Sequence, residues 1–141
     1  MPINTYKIQD HAMATRFQFV EHAGKEILVL DYSHADRQSC LALTAEFDRY
    51  IQTREADGTL RILFDMESPY YDPIHVNHWR ANSARYDKYF YSTAMIHAGP
   101  IFKLILINLR MYLKMLGRPM NEKRGRLFES KDAALEFLSK D

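Results

Sequence analysis

The sequence predicts a single α/β domain built on a mostly parallel sheet. Short apolar runs typical of buried strands alternate with segments whose apolar residues recur at helical spacing. The chain has 141 residues, a length that suits one core, and its 47% hydrophobic and 26% charged residues are typical of globular domains. We therefore expect residues 1–141 to form one domain, with residues 1–14 as a flexible N-terminal arm.

The first half of the chain predicts a hairpin followed by a helix and a buried strand. Phe17 and Phe19 alternate with other residues as on a half-buried strand, and a turn around Gly24 leads into the apolar run ILVLDY. A helix follows, with Ser33 or Asp36 as its N-cap. Its apolar stripe consists of Cys40, Leu43, Phe47, Tyr50 and Ile51. The run LRILFDM is the next buried strand.

The second half predicts two further helix–strand units and a closing helix. Asp72 fits the cap of a helix after the loop ESPYYDP, and the buried strand STAMIHA comes next. Gly99-Pro100 opens an apolar helix that ends near Gly117, RGRLFE is a short strand, and Ser130 caps the last helix. The order ββαβαβαβα predicts four helices and a mixed five-stranded sheet, in which the opening hairpin supplies the antiparallel edge.

Composition narrows the classes of function. The N-terminus lacks the apolar core of a signal peptide, and no apolar run approaches the roughly 20 residues that cross a bilayer. Cys40 is the one cysteine, which excludes an internal disulfide and fits a reducing compartment. A net charge of +1 provides little footprint for nucleic acid. We expect a cytoplasmic protein, with peripheral membrane contact as a further option and no nucleic-acid partner.

The order of elements and the last third of the chain resemble the STAS superfamily. The segments that carry the resemblance are LVLDYS, ILFDMES and the tail NLRMYLKMLGRPMNEKRGRLFESKDAALEFL. The likeness covers roughly residues 16–139 and is closer to the small bacterial STAS-like, or SpoIIAA-like, proteins. These proteins share fold features with CRAL-TRIO lipid-binding domains. The resemblance implies a non-enzymatic binding or regulatory module of STAS-like type.

The chain departs from this family at the expected phosphorylation site. Regulatory STAS proteins carry a phosphorylatable Ser in an Asp-Ser pair where the helix after the middle strand begins. Here the segment reads MESPYYDPIHV, so Ser68 comes too early and Asp72 puts a carboxylate where the family has a hydroxyl. We predict no phospho-switch through Ser68. The alternative function is an anti-sigma-factor-antagonist-like switch without that phosphoserine, binding a regulatory protein through the loop between residues 67 and 76.

Polar residues at the carboxyl ends of the predicted parallel strands form a candidate crevice. Open α/β sheets bind ligands at this edge, and a His with two carboxylates can perform acid–base chemistry. No nucleophile motif or phosphate loop accompanies them, so we expect capping and loop hydrogen bonds rather than catalysis. The crevice residues are His34, Asp65, Glu67, Ser68, Asp72 and His97.

A metal-like spacing on the second helix does not change this expectation. Asp72, His75 and His78 lie about one turn apart, but they lack the His-Glu-x-x-His form. We therefore read them as exposed helix polars. We expect no cofactor, no metal ion and no catalytic residue.

The helix in GPIFKLILINLRMYLKMLGRP is more apolar than contact with one sheet requires. At 100° per residue its basic residues fall within about 40° of one another, and apolar residues occupy about 260°. A helix on a sheet needs an apolar stripe of about 100°. Between Ile101 and Arg126 the charge is +6. The predicted ligand or membrane contacts are Lys103, Leu106, Ile107, Arg110, Met111, Leu113 and Lys114.

Three explanations for the surplus apolar surface stay open. A neighbouring helix in the same domain covers it, or a second subunit of a homodimer does. In the third, the surplus lines a cavity for a lipid or other apolar small molecule, or meets an anionic membrane to which the basic side chains reach. The third explanation is the leading prediction for the function.

Overall fold

The structure, a computed structural model, describes residues 11–70, 73–117 and 122–141. It confirms the α/β class, with a mostly parallel five-stranded sheet and the four predicted helices, preceded by one short helical turn. The elements in chain order are α1 (His11–Ala14), β1 (Phe17–His22), β2 (Lys25–Asp31), α2 (Arg37–Gln52), β3 (Leu60–Asp65), α3 (Pro73–Asp87), β4 (Phe90–Ile96), α4 (Pro100–Met115), β5 (Arg126–Phe128) and α5 (Lys131–Leu138).

The strands lie side by side in chain order, and the hairpin forms the antiparallel edge that the sequence predicts. β1 pairs antiparallel with β2, while β2, β3, β4 and β5 run parallel. His22 pairs with Lys25, so Ala23 and Gly24 form a two-residue turn. Their φ angles are 51° and 78°. Two positive φ angles define a type I′ turn, whose twist matches that of the flanking strands.

The two faces of the sheet carry separate apolar clusters because strand side chains alternate between faces. One face is covered by α2, α3 and α4, and the other by α5. The strand residues that face α2 and α3 include Leu28, Leu30, Ile62 and Phe64. Those that face α5 include Ile27, Leu63, Ala94 and Ile96. Because β2, β3 and β4 run parallel, their carboxyl ends meet at one edge of the sheet.

Asp36, rather than Ser33, caps α2, since its carboxylate accepts a hydrogen bond of 2.8 Å from the Ser39 amide. The stripe predicted for this helix is buried, including Cys40, whose thiol lies in the core. This burial confirms that Cys40 belongs to the apolar stripe of the helix.

A polar network on the inner side of α3 ties this helix to α2. The Tyr86 hydroxyl, in a buried side chain, donates to the Asp48 carboxylate, and His78 Nε2 lies 3.0 Å from the other oxygen of Asp48. His78 was expected to be an exposed helix polar, and this expectation is wrong because its ring faces α2. Asp72, the predicted cap of this helix, lies outside the described residues, and so does the side chain of His75.

α5 closes the second face and is held by a buried arginine on β3. Ser130 caps the helix by accepting from the Ala133 amide at 3.1 Å. The Arg61 guanidinium donates to the carbonyls of Leu138 and Lys140, at 2.7 and 3.0 Å, and to the Asp141 carboxylate. The carboxyl end of the chain is thus attached to the centre of the sheet.

The last residues of the predicted N-terminal arm belong to the domain. Met13 in α1 is buried in the core with Phe17. Arg16 Nη1 donates to the carbonyls of Asp31 and Ser33, each at 3.0 Å, which fixes the chain entering β1. Residues 1–10 of the arm lie outside the described residues.

Candidate functional site

Helix α4 rests on the domain through a narrow line of side chains. Gly99 is its N-cap in an extended conformation, Pro100 occupies the first turn, and Gly117, with φ of 73°, follows its end. Of the 16 residues in α4, only Leu106 and Leu113 are buried, at 5% and 8% exposure. They are seven residues apart, so they lie on one face, two turns from each other.

The two flanks of α4 differ in burial. Leu106 and Leu113, predicted as ligand or membrane contacts, face the interior and border cavities, so a contact with a flat membrane is wrong for them, whereas a ligand contact stays a prediction. The opposite flank is as predicted: Ile107 and Met111 are 53% and 59% exposed. The difference arises because α3 lies beside α4, which turns one of the two flanks inward.

The outer side of α4 forms a surface that we call the outer apolar face. Large apolar side chains are exposed along the whole helix, with Met115 reaching 84%. The members of the face are Ile101, Leu104, Ile107, Met111, Tyr112, Met115 and Leu116. Exposed apolar patches of this kind mark interaction surfaces in soluble proteins. Among the described residues, no helix has both the length and the apolar character needed to cross a membrane.

Cations, and no acids, accompany the outer apolar face. The sequence of α4 contains Lys103, Arg110 and Lys114 but neither Asp nor Glu. All three cations are exposed, although Arg110 also donates to the Gly125 carbonyl at 2.9 Å and so ties α4 to the start of β5. From α3, the Arg80 guanidinium lies 5.6 Å from the Tyr112 ring centroid. The surroundings of the face are therefore complementary to anions.

Beneath α4, two cavities separate the helix from the sheet and from α3. Their volumes are about 140 Å³ and about 430 Å³. Five side chains line both cavities, so the two lie next to each other, and we call them together the apolar cleft. The shared lining residues are Phe64, Trp79, Met95, Leu106 and Leu109. Protein interiors contain few voids larger than a water molecule, whereas ligand sites have about 300–1,000 Å³.

The inner end of the cleft is closed by polar groups that already have partners. The hydroxyls of Tyr32 and Thr44 lie 2.7 Å apart, and burial raises the pKa of Tyr32 above its ordinary range. Burial also raises the pKa of the Cys40 thiol, which donates weakly to the carbonyls of Ala35 and Tyr70. A thiol in this protonated state is a poor nucleophile. This end is therefore suited to apolar atoms rather than to chemistry.

The other end of the cleft is bordered by an engaged arginine. Arg124 donates to the carbonyls of Tyr91 and Phe90, at 2.5 and 2.7 Å, and its Nε lies 2.9 Å from the Asp87 carboxylate. The Gly125 amide donates to Thr93 Oγ1 at 2.6 Å. These bonds build the wall of the larger cavity from the segment that precedes β5.

Several cleft residues were missed by the sequence analysis. Phe102, Ile105 and Leu109 line the cleft together with Leu106. Their spacing of three and four residues, continued by Leu113, is the ordinary signature of the inward side of a helix, so this signal was present in the sequence. Trp79, Phe64 and Met95 come from other elements, and no local pattern links them to α4.

The structure brings most of the predicted strand-end crevice together. His97 Nδ1 lies 3.0 Å from an Asp65 oxygen, and His34 Nε2 lies 3.6 Å from Glu67. The hydrogen bond to Asp65 raises the pKa of His97 above that of a free histidine, and the charges of Asp65 and Glu67 act in the same direction. Ser68 is exposed, and Asp72 lies outside the described residues.

The crevice and the apolar cleft lie on neighbouring parts of one loop. Met66, Pro69 and Tyr70 line the cleft, while Asp65 and Glu67, on either side of Met66, are directed to the sheet edge. Comparison of the chain with models of protein families, with curated proteins and with solved structures finds no match. The geometry of α4, the cleft and the crevice is therefore the basis for the functional proposal.

Proposed function

We propose that the protein is a non-enzymatic binding module that takes the apolar chain of an amphiphilic ligand into the apolar cleft. In the same proposal, the outer apolar face of α4 meets the anionic lipid surface from which that ligand comes. The proposal depends on one observation about α4. The inner side of this helix borders a cleft, while its outer side exposes large apolar residues.

The cleft supports an apolar chain rather than a polar substrate. The shared lining side chains are all apolar or aromatic, and the polar groups at its ends are hydrogen-bonded to the protein. A polar ligand would lose its water contacts and find few free partners in the lining, which costs free energy. An apolar chain instead gains about 25 cal/mol for each Å² that it removes from water.

The outer apolar face supports an anionic surface as the source. Lys103 and Lys114 project beside exposed leucine and methionine side chains, and α4 contains no acid that would repel lipid phosphates. Each lysine or arginine near an anionic membrane contributes about 1 kcal/mol. Such attachment is weak and reversible, which suits a protein that exchanges a ligand with the surface.

Native mass spectrometry of freshly purified protein tests the cleft. We expect adducts with the mass of a lipid, or uptake of lysophosphatidylglycerol as a single-chain anionic probe. Leu109→Trp, which enlarges a side chain that lines both cavities, should abolish this binding. Leu127→Trp, at an exposed position on β5, is the matched control and should bind as the wild type does. Equal binding by both variants would contradict the proposal.

Co-sedimentation with vesicles tests the outer apolar face. Replacing Lys103 and Lys114 with Gln removes two charges, so affinity for phosphatidylglycerol vesicles at low salt should fall by roughly 30-fold, equivalent to about 2 kcal/mol. Arg110 is kept because it donates to Gly125. Lys131→Gln on α5 combined with Lys140→Gln just after this helix is the control with equal net charge.

The vesicle experiment also separates the alternatives. If both double variants lose affinity equally, the attraction depends on net charge alone and the proposed face is wrong. If wild type and both double variants bind equally, Lys103 and Lys114 contribute nothing and the proposed face is also wrong. If none binds and sedimentation shows a dimer, a second subunit covers α4 instead. The protein–protein switch through the loop between residues 67 and 76 stays a prediction, and residues 71 and 72 of that loop lie outside the described residues.

A further inference from the structure

The carboxyl edge of the sheet places imidazole and carboxylate groups on rigid backbone. β2, β3 and β4 are adjacent and parallel, and Asp65, the last residue of β3, pairs with Asp31 and Ile96. His97 directly follows β4. The Met66 amide donates to the Ile96 carbonyl at 3.0 Å, and the His34 amide donates to the Glu67 carbonyl at 2.7 Å. The segments that carry the four side chains are thus bonded to one another.

The spacing of the donor atoms approaches that of ligands around one metal ion. One donor atom each from Asp65, Glu67 and His97 lie within 4.8 Å of one another. His97 Nδ1 and Asp65 are 3.0 Å apart, and His34 Nε2 and Glu67 are 3.6 Å apart. A tetrahedral ion with bonds of about 2.0–2.1 Å holds its ligand atoms roughly 3.3–3.4 Å apart. Small side-chain rotations would close the remaining difference, since the side chains are partly or largely exposed.

Other histidine–carboxylate pairs in the described parts of the chain lack this convergence. His22 meets Glu136 at 3.4 Å as a single pair on the surface. His78 meets Asp48, but that carboxylate also accepts from Tyr86 and lies 3.6 Å from Arg85. At the sheet edge one imidazole and two carboxylates converge, and the His34 imidazole lies 3.6 Å from one of these carboxylates. Among the described residues, no lysine or arginine is ion-paired to Asp65 or Glu67.

We propose that Asp65, Glu67, His97 and His34 form a binding site for a divalent transition-metal ion. Imidazole nitrogen favours Zn²⁺, Co²⁺, Ni²⁺ or Fe²⁺, whereas Mg²⁺ and Ca²⁺ prefer sites built from oxygen alone. Asp65, Glu67 and His97 provide the primary ligands, and His34 is the fourth donor. The site opens to solvent, so the ion can enter without any movement of the backbone. This inference does not rest on the proposed function of α4.

Calorimetric titration of the untagged full chain with Zn²⁺ tests the site. We expect one ion per chain, and His97→Ala or Asp65→Asn should weaken binding by at least about tenfold. His34→Ala should weaken it by about threefold or more, as expected for a ligand at the edge of the set. The double variant His22→Ala with Glu136→Gln removes a similar pair elsewhere and should bind as the wild type does.

The outcomes that overturn the proposal are equally specific. Absence of saturable Zn²⁺ binding up to about 1 mM, or binding unchanged in His97→Ala and Asp65→Asn, excludes the site. Tighter binding of Mg²⁺ than of Zn²⁺ excludes the assigned class of metal. Unchanged binding in His34→Ala removes His34 from the ligand set.

Mapping on the wild type keeps the proposal testable if a variant fails to fold. In two-dimensional ¹H–¹⁵N spectra, Zn²⁺ should shift the amide signals of residues 34, 65–68 and 97. Shifts concentrated around His22 or His78 would place the ion elsewhere and overturn the proposal. With Co²⁺, the visible absorption bands of the bound ion should be lost in His97→Ala and retained in the His22 and Glu136 control.

Discussion

Several turns of this protein contain a residue other than glycine in the left-handed backbone conformation. Four residues other than glycine have positive φ among those described: Ala23, His34, Ser68 and His97. This conformation costs an ordinary L-residue roughly 1–2 kcal/mol. Three of the four lie at the carboxyl edge of the sheet, where hydrogen bonds such as that from the His34 amide to Glu67 hold the backbone. Ala23, in the hairpin turn, is the fourth.

Replacing Ala23 with Asn should stabilise the protein. Asn tolerates the left-handed conformation, and Asn-Gly is the preferred pair for a type I′ turn, so the gain should be about 1 kcal/mol. Ala23 is exposed, and no packing opposes the change. Urea unfolding of Ala23→Asn measures it. A midpoint equal to or below that of the wild type would contradict the assigned turn.

Asp36 predicts a specific dependence of stability on pH. Hydrogen bonds from Ser39 lower the pKa of Asp36 below its ordinary value, so the cap is favourable above that ordinary value. The contribution is lost as pH falls through the lowered, folded-state pKa. Asn caps a helix without titrating, so Asp36→Asn should lose less stability between pH 5 and pH 2, an interval set roughly by the ordinary Asp pKa. Parallel thermal unfolding of both proteins across this range tests it.

Among the elements, the three longer helices differ in how firmly they are attached. α2 buries six side chains along its 16 residues, whereas α4, of the same length, buries two. Among the described side chains of α3, Tyr86 is buried, and the helix is tied to α2 through Asp48. Local opening costs less where fewer apolar contacts are lost. α4 is therefore the helix that we expect to open most easily, and in our proposal its movement admits the ligand to the cleft.

Amide hydrogen exchange should reveal this difference directly. We expect the amides of α4 to exchange through local opening at least about tenfold faster than those in the middle of α2, a free-energy difference of about 1.4 kcal/mol. Mass-spectrometric exchange on intact wild-type protein measures both helices in one experiment, so each serves as the reference for the other. Equal protection would show that α4 opens only with the whole domain.

The polar link between α2 and α3 predicts the effect of removing one hydroxyl. Tyr86→Phe keeps the buried ring but removes one donor to the Asp48 carboxylate, which His78 and Arg85 still approach, and this should cost about 1–3 kcal/mol. Tyr112→Phe, on the exposed side of α4, is the matched control and should change stability little. Urea unfolding of the two variants tests the prediction. Equal midpoints would show that the link contributes nothing.

At the scale of the whole molecule, the two faces of the sheet are built differently. The face covered by α2, α3 and α4 contains the apolar cleft, and the face covered by α5 has a small continuous cluster. Arg61 joins this second face to the carboxyl end of the chain. The α5 face thus supports the sheet, while the α4 face contains the space in which we propose that a ligand binds.

Removing the Arg61 guanidinium should weaken the whole domain. Arg61→Met retains an unbranched apolar chain but leaves the Leu138 carbonyl without its charged donor, at a cost of about 2–3 kcal/mol. Because α5 packs on the central strands, the loss of stability should appear as a lower midpoint of global unfolding rather than as local fraying of α5. Lys131→Met, at an exposed position of α5, is the control. If Arg61→Met lowers amide protection only in the last residues of the chain, the global role of Arg61 would be contradicted.

The sequence alone determined the class and order of the elements because these depend on local periodicity. Apolar runs such as ILVLDY and LRILFDM mark central strands, and the spacing in α2 marks its buried stripe. It also predicted that polar residues after β2, β3 and β4 share one edge, since parallel strands end on the same side. The surplus apolar arc of α4 was likewise visible in the sequence.

Only the tertiary structure decided how these residues are used. Periodicity shows that α4 is apolar on two flanks, but the position of α3 determines that Leu113 faces inward and Met111 outward. The convergence of Asp65, Glu67 and His97 depends on the sheet register and on side-chain torsions. The cleft combines residues from three helices and two strands of distant sequence position. Such contacts are set by the packing of whole elements, and a local sequence pattern has no information about that packing.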